Sequence, residues 1–115
     1  MDNPVTDERG IKSWVGVSGK YHRDDGPAVE WPNGYKAWYQ HGLRHRDGGP
    51  AVEFASGDKE WWQHGSVHRD DGPALEISDG TKAWWLNDQE MSFDEYLNKV
   101  DMSDEAKVMM KLKYG

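Results

Sequence analysis

Three copies of His-Arg-Asp stand out as residues able to do chemistry: His22-Arg23-Asp24, His45-Arg46-Asp47 and His68-Arg69-Asp70. The same triplet opens a protein-kinase catalytic loop, where the Asp takes a proton and an Asn five residues later holds magnesium. Here those later positions are Val29, Val52 and Leu75, and no glycine-rich nucleotide loop accompanies them. Kinase chemistry is excluded. A catalytic group is needed once, whereas a fastener between neighbouring modules is needed in every module. The recurrence therefore reads as structure. Each Arg is expected to hold the following Asp or a neighbouring carbonyl, so that Arg23, Arg46 and Arg69 form a ladder with Asp24, Asp47 and Asp70. The functional alternative is a row of guanidiniums and imidazoles (His22, His45, His68) beside aromatic rings, suited to a phosphate or a purine.

Metal and nucleophile chemistry find less support. The 5 histidines fall into two columns, His22/His45/His68 and His41/His64. Members of one column on successive hairpins would lie about 9–10 Å apart, two strand spacings, whereas zinc needs its ligands at about 2.0–2.3 Å around one centre. No metal site is expected. Asp24-Asp25 and Asp70-Asp71 lack the alternating ligands of a calcium loop and fit turn backbones instead. With 0 Cys there are no disulfides, thiolates or cysteine nucleophiles. No serine triad or phosphate-binding loop is present, so the expectation is a non-enzyme without a cofactor.

The aromatics are the other candidates. The chain has 7 Trp, 5 Tyr and 2 Phe, and rings of this size carry a core that the few aliphatic residues could not. Tandem pairs at Trp38-Tyr39, Trp61-Trp62 and Trp84-Trp85 put one ring on each face of a strand. If one face of a sheet is buried, the other ring of each pair makes an exposed stripe suited to binding. Coverage of that face by helices or a second copy is the competing arrangement.

These residues recur because the chain is a repeat with a step of 23 residues. Gly26-Pro27-Ala28 returns at Gly49-Pro50-Ala51 and Gly72-Pro73-Ala74; Glu30, Lys36 and Trp38 return at Glu53, Lys59 and Trp61, then at Glu76, Lys82 and Trp84. Gly10, Trp14 and Gly19 sketch a degenerate earlier copy (10–21) with one residue inserted. Within each copy, alternation such as Val29/Trp31 against Ala28/Glu30 marks a half-buried strand. Asn33-Gly34, Ser56-Gly57 and Asp79-Gly80 are expected to form two-residue turns into an aromatic second strand. His41-Gly42 and His64-Gly65 supply another turn.

The period, the Asn-Gly or Asp-Gly turn before an aromatic strand and the turn Gly followed by Arg-His or Val-His resemble MORN-type repeats. The variant His-Arg-Asp-x-Gly-Pro-Ala is similar to repeats of small bacteriophage and bacterial proteins. The resemblance covers roughly residues 10–90. It implies an extended binding or scaffolding surface without shared chemistry, and interference with a bacterial defence or host-takeover target.

After Glu90 the repeat stops. Ser92-Phe93-Asp94-Glu95 is a capping box, and a second helix is expected from Glu105 to about Lys113. These helices (91–115) should cap the sheet, although Met102, Met109 and Met110 would also suit an adaptable contact surface.

The expected fold is thus one mostly-β domain over 1–115. It is an antiparallel meander of three 23-residue hairpin repeats (22–90) with a C-terminal helical cap. Net charge is −7, all but one unit of it within residues 1–90. That acidity argues against duplex nucleic acid or a membrane surface. No signal peptide or spanning segment is evident, so a bacterial cytoplasmic location is expected. The expected role is a binding protein, of the inhibitor or adaptor kind, docking its acidic sheet on a host protein with a basic surface. Sequestration of a nucleotide messenger and passive scaffolding are the alternatives. Homodimerisation through an open sheet edge is a further expectation.

Overall fold

The computed structural model describes residues 3–115. Nine short strands pair antiparallel in chain order, and two helices, α1 (Phe93–Lys99) and α2 (Asp104–Tyr114), follow them. The chain is elongated, 47 × 29 × 21 Å, as expected when modules stack along one direction.

Each repeat contributes one hairpin to the sheet: Val29–Glu30 with Lys36–Ala37, Val52–Glu53 with Lys59–Glu60, and Leu75–Glu76 with Lys82–Leu86. Successive hairpins join by pairing Ala37 with Val52 and Glu60 with Leu75. Each repeat also makes a second hairpin, so the unit is richer than one hairpin per copy. After Trp38 and Trp61 the chain leaves the sheet as a two-stranded ribbon, Tyr39–Gln40 with Leu43–Arg44 and Trp62–Gln63 with Ser66–Val67. Ribbons of adjacent repeats meet through single backbone bonds, Gly42 N to Tyr21 O and Gly65 N to Arg44 O, at 2.8 and 2.9 Å.

The sheet turns correct one expectation. Trp31 N bonds Tyr35 O and Gly34 N bonds Trp31 O, which makes a three-residue loop, and the other two copies repeat it. Only the glycine takes positive φ there (Gly34, +104°). The favoured two-residue hairpin turns need at least their first central residue in that region, and Asn33, Ser56 and Asp79 are not. The ribbon turns do meet the requirement: His41 (φ 53°) and Gly42 (82°), and His64 (49°) and Gly65 (84°). In the third repeat Asn87 and Asp88 take over, at 50° and 68°. The degenerate first copy uses a three-residue loop at this place, with Gly16 N bonding Lys20 O. That loop is where its extra residue sits.

Register sorts the side chains. On one face, Trp14, Ala28, Trp38, Ala51, Trp61, Ala74 and Trp84 follow one another across the strands, large beside small. All three alanines are fully buried. A parallel row places Lys opposite Glu throughout, as in Lys12–Glu30–Lys36–Glu53–Lys59–Glu76–Lys82, the favourable cross-strand pairing. On the other face Val29, Ala37 and Val52 form a small core, with Ile11, Tyr35, Tyr39 and Trp62 against it. A second core lies at the C-terminal end, where Tyr96, Leu97, Val100 and Met110 close over Trp84. Ser92 and Ser103 start the helices by accepting hydrogen bonds from the Glu95 and Ala106 amides, which satisfies donors a helix start leaves free.

Candidate functional site

The His-Arg-Asp triplets lie at the junctions between repeats. Each arginine lies over the indole of the preceding copy: Arg23 over Trp14 at 3.8 Å, Arg46 over Trp38 at 3.9 Å, and Arg69 over Trp61 at 4.0 Å. The opposite side of the guanidinium faces a glycine of its own Gly-Pro-Ala. A Cβ there would stand 3.0 Å from Arg23 Cζ at Gly26, 3.0 Å from Arg46 Cζ at Gly49 and 2.6 Å from Arg69 Cζ at Gly72. The glycine thus leaves room for the guanidinium in this position, with no demand on φ, and a side chain there would displace the arginine.

The expected Arg–Asp ladder is redrawn. Arg23 donates from Nε to Asp25, and from Nη1 to Pro27 O and Glu30. Arg69 repeats this with Asp71, Pro73 and Glu76. Arg46 keeps Pro50 and Glu53, but Gly48 stands where Asp25 and Asp71 stand in the other copies. The Asp directly after each Arg pairs with the histidine instead: His22–Asp24 at 3.0 Å, His45–Asp47 at 3.2 Å and His68–Asp70 at 2.8 Å. Spacing explains the exchange, because alternate side chains on an extended segment point the same way.

Each of these histidines also holds the ribbon turn of its own copy. Nδ1 of His22, His45 and His68 accepts the backbone N–H of His41, His64 and Asn87, each at 3.0 Å. An accepting Nδ1 leaves the proton on Nε2, which donates to the Asp. The ring is thus a neutral bridge from a ribbon turn to a carboxylate. The second histidine column packs against the first with tilted rings, centroids 4.6 Å apart for His22–His41 and 4.3 Å for His45–His64. Among the described residues no group of three His, Asp or Glu side chains converges as a metal would require. Between the junctions lie open grooves of about 750 and 440 Å³, the larger bounded by Arg23, Asp25, Trp38, His45 and Arg46. The guanidiniums beside them are already engaged by carboxylates, carbonyls and indoles.

The tandem aromatics divide between the faces. Trp38 and Trp61 lie half-buried under Arg46 and Arg69, and Trp84 is buried under the cap. Tyr39 and Trp62 are half-buried on the opposite face. Trp85 is half-buried, its indole N–H lacking a partner. None of the six is freely exposed. Apart from Tyr21, which lies against Tyr39, the more exposed rings are on the sheet-loop ends of the opposite face. Trp31 is 42% and Phe54 37% exposed, with Tyr35 wedged edge-on between them at 5.4 and 5.5 Å. Ile77 continues the row, while Asp58 and Thr81 replace the tyrosine in the second and third repeats.

Beside this ladder lies Arg44. Arg9, Arg23, Arg46 and Arg69 each face a carboxylate at 2.9–3.2 Å. Arg44 has none among the described residues. Its guanidinium lies 5.0 Å from the Trp62 ring centroid, and its Nε is buried without a partner. Burial opposes its charge, but Tyr39 and Tyr35 outweigh that and hold its pKa above the usual guanidinium value. Sequence reasoning passed over Arg44, Trp31 and Phe54. The available signal was the Val29/Trp31 alternation, which already set both on one face.

No family model, curated protein or solved structure matches this chain. No helix among the described residues is long and apolar enough to cross a membrane.

Proposed function

We propose that this chain is a non-catalytic binding protein whose docking surface is the aromatic face of the repeat sheet. The observation that carries this reading is the ladder Trp31–Tyr35–Phe54, left open to solvent beside an arginine with no carboxylate of its own. Trp, Tyr and Arg are the residue types on which binding energy concentrates. Asp58 and Glu60 stand on the same face by register. With the net charge of −7, they favour a partner whose surrounding surface is basic. The likeness of the repeats to those of small bacteriophage and bacterial proteins directs the reading to a bacterial cytoplasmic protein, with inhibition of a defence component as the task. Nucleotide sequestration is less well supported, because Arg23, Arg46 and Arg69 are committed to structural partners.

The test is affinity capture from bacterial lysate with the wild type and with Trp31→Ala/Phe54→Ala. The double variant should stay folded by circular dichroism, since both rings are at the surface, and should lose the captured protein. Capture of the same protein by the folded double variant would refute the reading.

A further inference from the structure

Polar groups that recur in every copy fasten one module to the next. A polar cluster that occurs once has no such duty, and Arg44 stands in one. Val67 and Glu90 take its place in the two later copies and Tyr21 in the earlier one. Tyr35 gives way to Asp58 and Thr81, and Tyr39 to Trp62 and Trp85. Only the first full copy combines a guanidinium with two phenols.

Register sets Arg44 opposite Tyr39 across the ribbon, and the hydroxyls of Tyr39 and Tyr35 both face the guanidinium. Its Nε is buried without a partner, and its Cζ lies 5.0 Å from the Trp62 ring centroid. A guanidinium has five N–H groups and accepts nothing, while each phenol has one O–H to give. One bond to each phenol oxygen still leaves three N–H groups and both phenol protons. No carboxylate among the described residues pairs with Arg44, and Glu60, which also touches Trp62, is taken by the indole N–H at 2.9 Å. The cluster is thus made of donors around a half-buried cation, an arrangement that is costly until an acceptor arrives. The planar guanidinium fork matches the two oxygens of a carboxylate. Net charge of −7 opposes a singly charged carboxylate less than a doubly charged phosphate.

We infer that Arg44, Tyr35 and Tyr39 form a binding site for a carboxylate, whose oxygens take the remaining N–H and O–H groups. Tyr35 belongs to both this site and the Trp31–Tyr35–Phe54 ladder. A protein docked on the ladder is therefore placed to supply the carboxylate from an Asp or Glu side chain within its basic rim. That assignment of the carboxylate rests on the proposed docking role; the site itself does not.

Side-chain NMR of the full chain tests the site, with sodium acetate as the probe and sodium chloride holding ionic strength constant. The Arg44 Nε–H and Trp62 indole N–H resonances should shift saturably, half-complete at about 5–100 mM acetate. The Nε–H resonances of Arg23, Arg46 and Arg69, whose guanidiniums are already engaged, should stay in place. Sodium phosphate should bind about threefold more weakly or worse. Arg44→Met should abolish the Trp62 response. Tyr35→Phe/Tyr39→Phe, which keeps both rings, should weaken it about fivefold or more. No saturable shift in the wild type, equal shifts at all four arginines, tighter phosphate binding, or an unchanged Tyr35→Phe/Tyr39→Phe would overturn the site. The acetate response needs no partner, so its failure is distinct from failure of the docking role. A captured protein held equally well by Arg44→Met would overturn the partner as source of the carboxylate.

Discussion

Inside the array, each tryptophan of the Trp14/Trp38/Trp61 column meets the arginine of the next copy, and Gln40 and Gln63 donate to the backbone carbonyls of Arg23 and Arg46. At the C-terminal end neither partner is available. Trp84 has no following arginine, and Leu86 stands where glutamine would be. Tyr96 of α1 fills both places. Its ring lies 4.8 Å from Trp84, and its hydroxyl donates to Arg69 O at 2.6 Å while accepting from Gly72 N at 3.2 Å. The last module thus exchanges a cation and an amide for one buried phenol. A repeat array can end without leaving its final indole or carbonyl unsatisfied if one side chain reproduces both contacts.

Removing that side chain is the severest way to break the equivalence. Tyr96→Ala opens a cavity at a fully buried ring and should cost about 3–5 kcal/mol in urea unfolding. Tyr96→Phe, which keeps the ring, should cost about 1–3 kcal/mol for the two lost hydrogen bonds. Equal losses for the two would show that the hydroxyl carries the cap.

Alkaline pH sharpens the contrast. Burial pushes the Tyr96 phenol from 10.0 up to about 12, so the folded state holds this proton more tightly than the unfolded chain. Its contribution is complete below about pH 10 and is lost as pH rises toward 12, on the order of 2–3 kcal/mol. Tyrosinate absorbance should show a late-titrating phenol that is absent in Tyr96→Phe. A Tyr96→Phe protein with the same alkaline loss of stability would place the effect elsewhere.

Within the array, a double-mutant cycle of Arg46→Ala and Trp38→Ala should give a coupling of about 0.5–2 kcal/mol. Zero coupling would make the stacking incidental. The smallest effect belongs to Asp71→Asn, below about 1 kcal/mol, because its carboxylate is 84% exposed. The second repeat already does without this contact at Gly48.

The period, the strands and the ribbon turns were legible because each depends on local chemistry: alternation, or a residue that accepts positive φ. The capping box at Ser92 was legible for the same reason. The junction was not. His-Arg-Asp shows that something recurs, but the ring under Arg46 belongs to Trp38, in the preceding copy, and only the sheet register brings the two together. The surface rings escaped notice for a related reason. Tandem pairs draw attention to Trp61-Trp62, yet the bend after each indole sends its neighbour into the ribbon and leaves Trp31 and Phe54 beyond any cover. Arg44 carries no motif at all, and only its surroundings set it apart.

Because each guanidinium reaches back to the indole before it, the array has a polarity. A whole 23-residue module inserted at the Arg46 boundary would find an indole waiting on one side and present its own on the other. The molecule would lengthen by about 9–10 Å, two strand spacings, with both existing junctions remade. Such an extension succeeds only upstream of Tyr96, which makes that phenol the full stop of the chain's grammar.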